Sequence, residues 1–233
     1  MLSVKNISYA YGDNEVLQNL NLEVKPACIH GILGMNGAGK TTFFNVMYGL
    51  LKKQVGEMKY DGQALHSRSI AYLETNNYFY SYMRAREYLQ LCAGKNSSFD
   101  IDHWNALFQL PLDYLIDSFS TGMKKKLAFM GVLALNRPVL ILDEPFNGVD
   151  LESNEIIYQI LLRLKQQSKL ILLSSHIIET LTNVCDAVSY LNEGSFRQTF
   201  QKPDFPEMER KLRDKLQEKT GEILDQLMNS GHS

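Results

Sequence analysis

Two stretches of this chain bring together residue types suited to handling a phosphate. The first, Gly34-Met35-Asn36-Gly37-Ala38-Gly39-Lys40-Thr41, matches the pattern G-x-x-x-x-G-K-[ST] in full. Its glycines let backbone N–H groups turn onto phosphate oxygens with no Cβ in the way. Lys40 has the reach for terminal phosphates, and the Thr41 hydroxyl suits Mg²⁺. The nucleotide-binding candidates are Gly34, Asn36, Gly37, Ala38, Gly39, Lys40, Thr41 and Thr42. The second stretch, Val139-Leu140-Ile141-Leu142-Asp143-Glu144, is four apolar residues ending in two carboxylates. Asp143 is a candidate Mg²⁺ ligand, and Glu144 a candidate for holding or deprotonating an attacking water. On these residues alone kinase, GTPase and ATPase chemistry all stay open.

The surrounding sequence must place both stretches at one edge of a sheet. The apolar run Cys28 to Leu33 predicts a buried strand before the glycine loop, and a helix over Thr42–Leu51 follows it. Such a helix end adds partial positive charge and unpaired donors. Residues 2–9 and 15–24 alternate apolar and polar around Gly12-Asp13-Asn14, which predicts an antiparallel pair. Short strands are expected around Glu57–Tyr60 and Ile70–Leu73, with Asp61-Gly62 as a hairpin turn. Residues 76–120 carry helical patterns over Met83–Ala93 and Asp102–Leu110 and no strand pattern. After Pro138, strands (Val139–Leu142, Leu170–Ser174) alternate with helices (Asp150–Gln167, Ile177–Val184), and a hairpin closes around Glu193-Gly194. Pro203 and Pro206 mark a break before an amphipathic helix over 207–228, striped by Met208, Leu212, Leu216, Ile223 and Leu227. The expected fold is α/β. A P-loop NTPase core with a mixed or parallel sheet carries an N-terminal antiparallel β-subdomain and a small inserted helical subdomain. The expected domains are 1–203, with the helical subdomain at 76–136, and a C-terminal helix and tail at 204–233.

Composition excludes several classes. With 24 Lys+Arg against 26 Asp+Glu, the net charge of −2 gives no nucleic-acid footprint. Lys124-Lys125-Lys126 spans different faces of one helical turn and reads as a solvated face or a long-range attraction. Three cysteines without a C-x-x-C argue against a disulfide framework or a zinc site and fit a reducing cytoplasm. No signal peptide is visible, and the apolar runs are too short to span a bilayer.

Phe119-Ser120-Thr121-Gly122-Met123 resembles the L-S-G-G-Q signature of ATP-binding cassette transporters, and it opens a helix shortly before the strand to Asp143. In this light the whole chain, over roughly residues 1–200, looks like the nucleotide-binding subunit of such a transporter, in a form nearer bacterial exporters than importers. The resemblance implies ATP and Mg²⁺ as ligands, and Ser120, Thr121, Gly122 and Met123 holding the γ-phosphate of ATP bound by a second copy. It implies Tyr11 stacking on adenine, Asp150 in the loop joining two subunits' sites, and His176 contacting the γ-phosphate and positioning Glu144 or the water. Lys40 and His176 join Glu144 as catalytic candidates, with Thr41 and Asp143 as the metal ligands. The implied partners are a second nucleotide-binding subunit and a separately encoded transmembrane permease, with no nucleic acid. The implied place is the cytoplasmic face of the membrane.

The sequence departs from the family at two points. Thr75 stands where the family has a glutamine that ligates Mg²⁺ and couples to the membrane partner. Thr121 and Met123 replace a glycine and a glutamine of the signature. Two alternatives stay open at this stage. One is a soluble cassette ATPase acting on ribosomes or DNA, and the other is a poorly hydrolysing ATP-binding module.

Overall fold

The computed structural model describes residues 1–94 and 98–230, without the side chains at 215, 216, 218, 219 and 222–230, which include Leu216, Ile223 and Leu227. Those three positions of the expected terminal stripe, and residues 231–233 of the tail, lie outside the described residues.

The chain starts as an antiparallel pair, β1 (Leu2–Tyr11) and β2 (Asn14–Val24), which runs from Leu2 opposite Val24 to Tyr11 opposite Asn14 with register shifts between Val4 and Ala10. β4 (Val55–Tyr60) pairs with the other side of β1, and the two-residue β5 (Gln63–Ala64) completes this sheet in the order β2-β1-β4-β5. The second sheet runs β10-β9-β3-β8-β7-β6. Its strands are β3 (Ile29–Leu33), β6 (Ile70–Leu73), β7 (Val139–Asp143), β8 (Leu170–Ser175), β9 (Ala187–Asn192) and β10 (Ser195–Gln201). All neighbours in it pair parallel except β9 and β10, the expected closing hairpin.

The continuous apolar runs are explained by burial on both faces. Along β7 and β8, Val139, Ile141, Leu170 and Leu172 enter one core with α1 (Lys40–Tyr48) and the antiparallel sheet. Leu140, Leu142, Ile171 and Leu173 enter the other. There they meet α4 (Thr121–Ala134), α5 (Leu151–Gln166) and α6 (Ile178–Val184). Each fully buried Leu or Ile in these layers contributes roughly 1.5–3 kcal/mol. This double cover holds the carboxyl ends of β3, β7 and β8 rigid, and the candidate residues sit there.

Helix α2 (Ala85–Ala93) and α3 (Ile101–Phe108) precede α4. Gly131 of α4 admits the Tyr88 ring of α2 so closely that an added Cβ would lie 2.8 Å from it.

Several expectations need correction. The Asp61-Gly62 turn is a hairpin, but it leads to β5; Ile70–Leu73 pairs with β7 in the other sheet. Helix α1 begins two residues before Thr42 and stops short of Leu51. Gly49 takes φ 90° there, and the N–H groups of Gly49, Leu50 and Leu51 all turn back onto the Asn45 carbonyl. Pro206 does not break the last helix, α7 (Phe205–Ser230), but sits in its first turn, where a missing N–H costs nothing. Met208 and Leu212 of that helix are buried.

Candidate functional site

The glycine loop links β3 to α1 and wraps a cleft of about 240 Å³. The cleft is lined by Asn36, Gly37, Ala38, Gly39, Lys40, Thr41 and Thr42 from this segment, and by Thr75, Asp143 and Glu144 from the ends of β6 and β7. Met35 and Val16 complete it. Gly37 and Gly39 adopt φ values of 82° and 104°, a region that a side chain resists. Gly34 is needed for close approach, since a Cβ there would lie 2.8 Å from the Leu191 carbonyl oxygen. No side chain caps the start of α1. Its first-turn N–H groups therefore face the cleft as donors, with the positive end of the helix behind them.

The Lys40 side chain is only 7% exposed. Its ammonium donates to the Gly34 carbonyl at 2.6 Å and lies 3.6 Å from Glu144 Oε1. The cleft thus contains a buried cation within reach of its own carboxylate. Asp143, fully buried at the end of β7, accepts from the Thr41 and Thr75 hydroxyls on the same oxygen, Oδ2, at 2.6 Å each. Its other oxygen accepts from Ser174 on β8.

Glu144 has a positive φ of 50°, uncommon for a residue with a side chain, and costly enough to need support. The support comes from Ser174, whose hydroxyl oxygen accepts the Glu144 N–H at 3.0 Å. The same serine therefore orients both carboxylates. Glu144 Oε1 also lies 3.0 Å from Nδ1 of His176, just past β8. His176 is brought to Glu144, although it does not line the cleft itself.

Other expected residues are placed elsewhere. Tyr11 is half exposed and packs edge-on against Tyr9, at the end of the β1–β2 hairpin whose second strand supplies Val16 to the cleft. Ser120 caps α4, accepting the Met123 N–H at 3.2 Å. Ser120 and Thr121 are exposed, Gly122 and Met123 are half-buried, and none of the four lines this cleft. Asp150 caps α5 through the Ser153 N–H at 2.8 Å. Bonds from Ser153 and Lys126 hold the Asp150 carboxyl down at about 2.

The solvated-face reading of Lys124–Lys126 is overturned. Lys125 is 5% exposed, and its ammonium lies 3.4 Å from the carbonyl oxygens of both Thr75 and Asp143. Lys126 bonds Asp150 and Ser153, each at 3.2 Å. Both lysines turn inward because the first turn of α4 packs across the ends of β6, β7 and α5. Sequence reasoning also missed Ser174 and Val16. Ser174 carried a weak signal, a hydroxyl ending an otherwise aliphatic strand.

Among the described residues no cluster of three or more His, Cys, Asp or Glu side chains is arranged to hold a metal. The oxygens of Thr41, Thr75 and Asp143 are instead a hard, sparse donor set, which suits Mg²⁺ completed by waters and phosphate oxygens. No helix among the described residues is long and apolar enough to cross a membrane.

Comparison with known proteins matches residues 17–147 to the ABC transporter family model. An uncharacterized ABC transporter ATP-binding protein of Methanocaldococcus jannaschii is 31% identical over 201 residues, covering 83% of this chain and 74% of that one. Among solved structures, an ATP-binding subunit of an ABC transporter superposes with a TM-score of 0.82 at 27% identity, covering 88% of this chain and 91% of that one. A dimeric ATP-binding cassette in a post-hydrolysis state, bound to ADP and Pi, shares the fold with a TM-score of 0.76 at 22% identity, over 87% of this chain and 99% of that one. On the family match and this identity, the chain is a member of the ABC transporter family, an ATP-binding ATPase subunit.

Proposed function

We propose that the chain drives a separately encoded transmembrane permease, as one of two copies that close head to tail around ATP. The observation that carries this reading is the split of the candidate residues. Lys40, Thr41, Asp143 and Glu144 share one cleft, whereas Ser120–Met123 sit outside it at an exposed helix start. A helix start of this kind, lying outside the Lys40 cleft, fits a site completed by a second copy. The nucleotide-binding unit would be residues 1–203, with 76–136 as its helical part and 204–233 as an appended helix.

In this reading the loop Gly34–Thr42 cradles the phosphates, and Tyr11, with Val16 nearby, meets the adenine. Thr41 and Asp143 hold Mg²⁺, with the Thr75 hydroxyl beside them. When bound there, the metal would supply charge neutralisation at the phosphates. Glu144 polarises the attacking water, and His176 fixes that carboxylate in place. Lys40 exchanges its carbonyl partner for the γ-phosphate and stabilises charge as that group transfers. The partner's Ser120–Met123 segment closes over the same phosphate, and Asp150 joins the two sites. The surface near residues 74–93 faces the permease at the inner side of the membrane. Export is the favoured direction, supported by the short helical segment and the Phe119-Ser120-Thr121-Gly122-Met123 form.

Phosphate release by the purified chain with Mg-ATP tests this. Glu144→Gln should bind ATP normally yet release phosphate on the order of 100-fold more slowly or worse. An equal rate in the variant removes the role assigned to Glu144.

A further inference from the structure

Lys125 is a buried cation that the chemistry above does not use. It lies one turn into α4, whose cap and first residues are the Ser120–Met123 segment. Its ammonium rests on the Thr75 carbonyl at the end of β6 and on the Asp143 carbonyl at the end of β7. Beside it, Lys126 ties the same turn to Asp150 and Ser153 at the start of α5. Gly122 completes the fit: an added Cβ there would lie 3.0 Å from the Gly148 carbonyl oxygen.

A buried lysine resting on two long carbonyl contacts is a poor way to gain stability. Burial pushes its ammonium pKa down, against the pull of the Asp143 and Glu144 carboxylates. An apolar side chain of similar volume would fill the space with no charge to desolvate. What the ammonium adds is a fixed direction. It binds the turn bearing Ser120 and Gly122 to the two strand ends that carry Thr75 and Asp143.

We propose that Lys125 is a positioning residue that sets the angle of α4 against the nucleotide cleft, so that Ser120 and Gly122 are presented correctly to the ATP of a second copy. The threonine at position 75 belongs to the same device: its hydroxyl holds Asp143 while its carbonyl holds Lys125. The inference rests on the shared-site reading above.

The test compares Glu144→Gln with Lys125→Met/Glu144→Gln, each titrated with ATP while its mass is followed by analytical ultracentrifugation. The double variant should need about tenfold more protein to dimerise. Its affinity for a fluorescent ATP analogue as a monomer should stay within about twofold, and its melting temperature should be unchanged or higher. In the otherwise native chain, Lys125→Met should lower kcat about tenfold with little change in KM. Dimerisation at unchanged protein concentration overturns the assignment of Lys125. An equal loss of monomer nucleotide affinity also overturns it, because the lysine would then act on the cleft rather than on α4. If Glu144→Gln itself fails to dimerise with ATP, the shared-site reading falls and this inference falls with it.

Discussion

Replacing His30 with glutamine should flatten the acid side of the stability profile. His30 lies on β3, 2% exposed, with Nε2 2.8 Å from the Ser189 hydroxyl, which in turn lies 2.7 Å from that of Thr199. Burial lowers its imidazole pKa from 6.5 to about 4, and the opposing pull of Asp186 does not restore it. The folded protein therefore binds fewer protons than the unfolded chain between these values. The stability is fully present above the unfolded pKa and is lost as pH falls towards the folded one. The gap, 6.5 less about 4, corresponds to about 3 kcal/mol in full and about 2 kcal/mol by pH 5. Glutamine keeps a polar group for Ser189 and does not titrate. Urea unfolding of both proteins between about pH 7.5 and about pH 5 should show the native chain losing about 2 kcal/mol more than the variant. Parallel profiles would refute the argument, since the neutral imidazole would then carry no cost of protonation.

Two further substitutions separate the site from its scaffold. Ser174→Ala strands the Glu144 N–H and one Asp143 oxygen in a buried setting, so kcat should fall about tenfold and stability by about 1–3 kcal/mol, read by phosphate release and thermal melting. Gly56→Ala should cost about 2 kcal/mol or more by urea unfolding. Gly56 has φ 93°, and a Cβ there would lie 2.4 Å from the carbonyl oxygens of both Lys5 and Asn6.

The site was legible where local sequence determines local geometry. A glycine loop must sit between a strand and a helix, and an apolar strand must deliver Asp143 to its end, so both stretches could be placed from the residues alone. Pairing across the sheet could not. The four residues Ile70–Leu73 look like a partner for the hairpin before them, and only the double cover of the second sheet explains why they join β7. Lys125 was misread for a related reason. Periodicity says that three consecutive lysines point in three directions, but not that two of those directions are occupied by strand ends and a helix cap. Ser174 looked like an ordinary strand end, because its two partners come from a segment thirty residues earlier in the chain. The boundary of α1 was missed because Gly49 ends the helix with a left-handed turn inside an otherwise helical pattern.

The proposed site of ATP hydrolysis is built from two copies of the chain. Mixing Lys40→Ala with Ser120→Arg tests it most directly. The first variant lacks a working phosphate loop but keeps Ser120, which is exposed. The second keeps the loop and spoils the presenting surface. Each alone should release almost no phosphate. An equal mixture should recover about a quarter of the native rate, since about half of randomly paired dimers are mixed and each of these holds one intact site of two. Full activity of Ser120→Arg alone, or a mixture as inert as its components, would contradict the account.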